Sequence, residues 1–172
     1  FMFNEYELID RYEQASKAGF KGVELQAPYS LEKDQILEKL ETHNLKHVII
    51  NLPVNDPDTD QANLALIPDK KDLFLERLDL GINYASTLGC IGVNTGIGAK
   101  PQGFDDEEIF ETLVENQRIA SEKLAEKNIK ALIEPINTVD QPGFFINTSK
   151  QGMDLIEQIN HHNAFLLYDV YH

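Results

Sequence analysis

Strand-like apolar runs alternate with amphipathic helical stretches along the sequence, and this alternation restricts the chain to a parallel α/β architecture. The runs are Phe20 to Leu25, Leu45 to Asn51, Cys90 to Thr95, Ile129 to Glu134 and Ala164 to Asp169. Between them apolar residues recur at helical spacing. The predicted inner stripes are Leu31, Ile36, Leu37 and Leu40; Leu73, Leu75, Leu78, Ile82 and Ala85; Ile109, Leu113, Ile119 and Leu124; and Met153, Leu155, Ile156 and Ile159. A further helix is predicted from Asn4 to Ala18, with Leu8, Ile9, Tyr12 and Ala15 inward. Asn4, Ser30, Asp105 and Thr148 or Ser149 are the predicted N-caps, and Gly19, Asn44, Gly89 and Asn128 the predicted stops. At 172 residues, 42% hydrophobic and 26% charged, the chain has the makings of one globular domain spanning residues 1–172.

Two of the apolar runs end on carboxylates, Glu134 and Asp169, with a single helix between them. Parallel strands joined by a right-handed crossover place both carboxylates at the same end of the sheet. Neighbouring strands lie about 4.8 Å apart, so the two groups are within reach of one divalent cation or one substrate. Glu24 ends the first run and Asn94 the third on the same rim, which makes them candidate substrate contacts. No glycine-rich dinucleotide turn follows the first strand, which argues against an open doubly wound sheet. Carboxylates at C-terminal strand ends favour a (β/α)8 barrel, whose sites lie there. A complete barrel takes eight strands and about 250 residues. About five βα units are legible here, so the expected fold is a partial barrel short of one strand before Phe1 and two after His172. On that expectation the chain alone is neither closed nor active.

Two loops stand out. Leu52 to Asp69 is long, polar and marked by Pro53, Pro57 and Pro68, the profile of a functional loop. Gly96 to Gly103 follows the third strand, but its glycine spacing fits neither phosphate-binding fingerprint and reads as turn chemistry.

The chain carries 29 acidic against 15 basic residues, a net charge of -14, and no Lys/Arg-rich run, which argues against a nucleic-acid partner. The lone cysteine, Cys90, sits in an apolar run and reads as a buried, reduced thiol. No apolar run approaches the roughly 20 residues of a membrane span, and no signal peptide is evident. The expectation is a cytoplasmic, soluble protein acting on a small molecule, with a homo-oligomer left open.

Glu134-Pro135-Ile136-Asn137-Thr138 with Asp140 and Pro142-Gly143-Phe144-Phe145, followed by Asp169-Val170-Tyr171-His172, resembles the hydroxypyruvate isomerase family of xylose isomerase-like TIM barrels. Ala18-Gly19-Phe20-Lys21-Gly22-Val23-Glu24 with Pro28-Tyr29, and Asn51-Leu52-Pro53, resemble the same family in the same order. The first two stretches are specific, whereas the element around Glu24 is shared with sugar epimerases and a metal-dependent DNA-repair endonuclease. The resemblance implies an isomerase of hydroxypyruvate and tartronate semialdehyde, or of similar short oxo-acids and sugars, often with a divalent metal. It implies that Glu134 is the catalytic carboxylate and a metal ligand, Asp169 the second metal ligand, and His172 a substrate contact near the carbonyl. The family's remaining metal ligand and second catalytic glutamate belong to strands expected beyond His172.

Moving a carbonyl by one carbon requires removing a proton from an adjacent carbon through an enediolate whose charge must be stabilised. Glu134 suits the proton transfer, and Mg²⁺ or Mn²⁺ held by hard oxygens suits the charge. His43, His47, His161 and His162 read as structural or exposed, and Asn137 and Asp140 as shaping the loop after Glu134. Alternatives are a sugar epimerase, a metal-dependent phosphodiesterase acting on DNA, and a non-catalytic fragment.

Overall fold

The computed structural model describes residues 2–59 and 61–172. Its strands are β1 (Gly22–Val23), β2 (Lys46–His47), β3 (Ile49–Asn51), β4 (Gly92–Asn94), β5 (Lys130–Ile133) and β6 (Ala164–Leu166), and every pairing is parallel. Its helices are α1 (Arg11–Lys17), α2 (Lys33–His43), α3 (Lys71–Leu88), α4 (Asp106–Ala125) and α5 (Ser149–Ile159). β1 pairs with β2, and β3 to β6 form a four-stranded sheet in sequence order. The predicted run Leu45 to Asn51 is one pass interrupted at Val48. That residue still accepts from Ile91 N and donates to Val23 O, and Asn51 N donates to Gln26 O, so the two sheets are one continuous arc. This sequential, all-parallel order with a helix between successive passes is the barrel arrangement.

Helices cover the arc because their inner stripes are apolar, with some differences from the spacing-based reading. In α3 the buried stripe is Phe74, Leu78, Ile82, Ala85 and Leu88, while Leu73 and Leu75 are only half-buried. Met153 of α5 is exposed, and Leu155 and Ile159 carry the contact. The inner face of α4 includes three buried polar residues, Asn116, Gln117 and Ser121. Gln117 and Ser121 are satisfied, by Thr95 Oγ1, Gly96 O and the Gln117 carbonyl. Burying them is cheap only because those partners exist.

Caps divide in the same way. Asp105 accepts from Glu108 N, and Thr148 forms a reciprocal capping box with Gln151, as their residue types predict. Asn4 and Ser30 do not cap. A 3-10 turn at Leu8–Asp10 leads into α1, so Asp10 takes the N-cap position. Ser30 lies inside a 3-10 turn at Pro28–Ser30, leaving Glu32 before α2. Gly19, Asn44, Gly89 and Asn128 adopt positive φ at the predicted stops.

Among the described residues of the segment after β3, burial and ion pairing fix the backbone. Leu64, Ala65 and Leu66 are fully buried in a 3-10 turn, and Lys70 pairs with Asp56 and Asp58. Gly98, at φ 96°, lies against the Ala62 carbonyl so closely that a side chain would strike backbone. The glycine there serves a close approach between two loops.

Candidate active site

β5 is buried from Ala131 to Ile133, and Glu134 follows it, half-buried at the C-terminal rim. β6 pairs alongside, Ile133 opposite Leu166, and Leu167 N donates to Ile133 O at 2.8 Å. Asp169 therefore lies in the turn just past the strand rather than at its last paired residue. That turn is closed by Tyr171 N donating to Asp169 Oδ1 at 2.9 Å and His172 N donating to Asp169 O at 3.1 Å. The result folds His172 back toward the neighbouring strand. One carboxylate oxygen each from Glu134 and Asp169 and one ring nitrogen of His172 lie within 4.8 Å of one another.

Gly152 fixes the spacing of this rim. A Cβ there would sit 2.6 Å from Leu166 Cδ1 and 3.0 Å from Pro135 Cγ, so α5 rests directly on the residue after Glu134 and on the last residue of β6.

Asn94, at the end of β4, is buried and donates from Nδ2 to Glu134 Oε2 at 2.7 Å, while its Oδ1 accepts from Gly96 N at 3.2 Å. Both ends of this amide are engaged, so Asn94 orients Glu134. Glu24, just past β1, faces the same cleft of about 680 Å³ as Glu134 and Asp169, whose apolar wall includes Val23, Leu25 and Leu167. The residues read from sequence as Glu24, Asn94, Glu134, Asp169 and His172 thus converge on one rim.

Burial is the largest influence on the Glu134 carboxyl and pushes its pKa up; Asp169 and Glu24 add to that, and His172, when its ring is protonated, and the Asn94 amide partly offset it. Glu24 is raised by burial on its protein side and by Asp169. A carboxyl raised toward neutrality is a stronger base when ionised. The two carboxylates offer hard oxygen donors suited to a divalent cation, and the repulsion from Asp169 that adds to the effect of burial on Glu134 is what a cation would relieve.

A hydrogen-bond network behind the rim joins the loop after Glu134 to the turn after Asp169. Asn137 Oδ1 accepts from Val139 N and Asp140 N, and Asn137 Nδ2 reaches both Asp140 and His172. The Asn-x-x-Asp spacing after a strand end is the signal that an Asx turn forms there. Elsewhere, His47 is buried with its Nδ1 3.7 Å from the Cys90 sulfur, and burial pushes the Cys90 thiol up to about 12. Cys90 is therefore no nucleophile.

A family model described as Xylose isomerase-like TIM barrel matches residues 12–172. The chain is 37% identical over 171 residues to a hydroxypyruvate isomerase of Escherichia coli (strain K12), covering 99% of this chain and 66% of that protein. It is 32% identical over 171 residues to a 2-oxo-tetronate isomerase of Haemophilus influenzae, again covering 99% and 66%. The crystal structure of a Brucella melitensis protein described as an AP endonuclease, family 2, superposes with a TM-score of 0.94 at 35% identity, covering 99% of this chain and 66% of that one. The chain spans just under two thirds of the length of the curated relatives it matches.

Proposed function

Because the chain belongs to the xylose isomerase-like TIM barrel family, we propose that its rim carries the proton-transferring and cation-holding groups of an isomerase for short hydroxy-oxo acids, with hydroxypyruvate and tartronate semialdehyde as the substrate pair. The observation that carries this reading is the half-buried Glu134, raised in pKa, oriented by Asn94 and set beside Asp169 and His172. The isomerase relatives support the same substrate class.

In the forward direction the Glu134 carboxylate takes a proton from the hydroxymethyl carbon of hydroxypyruvate. The C–H electron pair becomes the double bond of an enediolate, and the former ketone oxygen gains negative charge. Return of a proton to the former carbonyl carbon, with transfer of the hydroxyl proton from the other oxygen to the former ketone oxygen, gives the aldehyde and its neighbouring hydroxyl. Asn94 holds the Glu134 carboxylate in line through its hydrogen bond. His172 hydrogen-bonds a substrate oxygen, and the apolar wall of the cleft limits water around the reacting carbons. Glu134 and Asp169 would hold Mg²⁺ or Mn²⁺, which when bound supplies positive charge for the enediolate oxygens and for an anionic substrate approaching a chain of net charge -14.

The endonuclease description of the Brucella melitensis protein suggests a phosphodiesterase instead. An excess of 29 acidic over 15 basic residues opposes binding to a phosphate backbone, so this reading ranks second. The test is incubation of hydroxypyruvate in D₂O with a protein of the relatives' full length carrying this chain. Deuterium at the reacting carbon with formation of tartronate semialdehyde is expected. Cleavage of abasic DNA without any exchange would reverse the ranking.

A further inference from the structure

Every hydrogen-bonding position of the Asn137 side chain is engaged. Its Oδ1 accepts from Val139 N at 3.0 Å and Asp140 N at 2.9 Å. Its Nδ2 lies 2.8 Å from Asp140 Oδ2 and 2.9 Å from His172 Nδ1. An amide nitrogen offers two protons and no acceptor, so one proton goes to the Asp140 carboxylate and the other to the imidazole nitrogen. Turning the amide over would set its nitrogen against two backbone N–H donors and its oxygen against a carboxylate oxygen, so the partners fix the orientation. His172 Nδ1 is therefore an acceptor and carries no proton. In the neutral form of the ring the hydrogen is then on Nε2.

We propose that Asn137 is a positioning residue that locks His172 as the Nε2–H tautomer, making the imidazole a hydrogen-bond donor to a substrate oxygen rather than a cation ligand. A ring nitrogen binds a cation only through a free lone pair. The Nδ1 lone pair is taken by Asn137, and Nε2 carries the proton. The three-group cluster accordingly divides, with Glu134 and Asp169 left for the cation and His172 for the oxygen on which charge develops. One further contact holds the ring in place. Tyr171 packs edge-on against it, centroids 5.1 Å apart at 80°, and Asn137 itself, reaching both Asp140 and His172, ties the turn after Glu134 to the turn after Asp169. The role toward substrate rests on the isomerase reading, whereas the tautomer stands on the hydrogen bonds alone.

The experiment is long-range ¹H–¹⁵N NMR of histidine-labelled protein at mildly alkaline pH, without substrate or metal, with the His172 signals assigned by their loss in His172→Gln. The expected result is a bare Nδ1 and a protonated Nε2. Asn137→Asp replaces the donor with a carboxylate that only accepts. It should invert the pattern to Nδ1–H and, in a protein of the relatives' full length, lower turnover about 10- to 100-fold. A protonated Nδ1 in the unaltered protein, or an unchanged tautomer in Asn137→Asp, would overturn the proposal. The ring signals are read without substrate, so a protein with the expected tautomer but no turnover would count against the isomerase reading alone.

Discussion

In the proposed isomerase, Glu134 has to be basic enough to take a proton from carbon yet ionised at working pH, and its neighbours set that balance. Burial, Asp169 and Glu24 raise its pKa, while the hydrogen bond from Asn94, and His172 when its ring is protonated, lower it. Asn94→Ala removes a donor that favours the carboxylate. The Glu134 pKa then rises further, and the acid limb of the kcat/KM profile should move to higher pH, with the smallest loss at alkaline pH. A uniform loss at every pH would instead mean that Asn94 serves only to hold the loop. Asp169→Asn should weaken Mg²⁺ or Mn²⁺ binding, read by calorimetry, and unchanged affinity would remove Asp169 from the cation site. Glu134 and Asp169 were legible in the sequence because an apolar run ending on an acid puts that acid at the rim of a parallel sheet. The work of Asn94 was not legible, since the residue type suits a substrate contact equally well and only the diagonal offset between β4 and β5 aims it at Glu134.

At the scale of elements, glycines set the distances that the site depends on. Gly98 combines φ 96° with backbone contact to Ala62, so Gly98→Ala should cost about 2–5 kcal/mol, the sum of left-handed strain and overpacking. Chemical denaturation checks this, and a loss below about 1 kcal/mol would show that the two loops separate easily. Strand and helix existence was readable from periodicity throughout, as were the Asp105 and Thr148 caps. The caps expected at Asn4 and Ser30 failed because residue type sets only a preference, and 3-10 turns at Leu8–Asp10 and Pro28–Ser30 moved the helix starts. Phe74 was overlooked in α3 because Leu73 and Leu75 flank it at equal hydrophobicity, and only packing decides which face turns inward.

Across the whole molecule, buried His47 links folding to pH. It lies 1% exposed between Tyr12 and Cys90, and burial lowers its pKa from 6.5 to about 4. The unfolded chain takes up this proton first, so stability is lost as pH falls from about 6.5 toward 4, by about 3 kcal/mol at most. Glu24 and Glu134 act in the opposite sense, because a raised carboxyl pKa makes the folded state the better proton acceptor as pH falls toward the ordinary carboxylate range. Thermal unfolding of His47→Leu should therefore show a flatter acid limb than the native chain, and an identical pH dependence would exclude His47 as the group responsible. Burial of this histidine was not apparent in the sequence, where it sits one residue from the irregularity at Val48. The architecture as a whole converges on the C-terminal rim, where β4, β5 and β6 deliver Asn94, Glu134 and Asp169. The most direct measurement is hydroxypyruvate turnover by Glu134→Gln in a protein of the relatives' full length, with folding confirmed by its thermal transition. A loss of roughly 10² to 10⁴ with the fold retained is predicted for removal of the proton-transferring base, and turnover close to that of the unaltered protein would contradict the account.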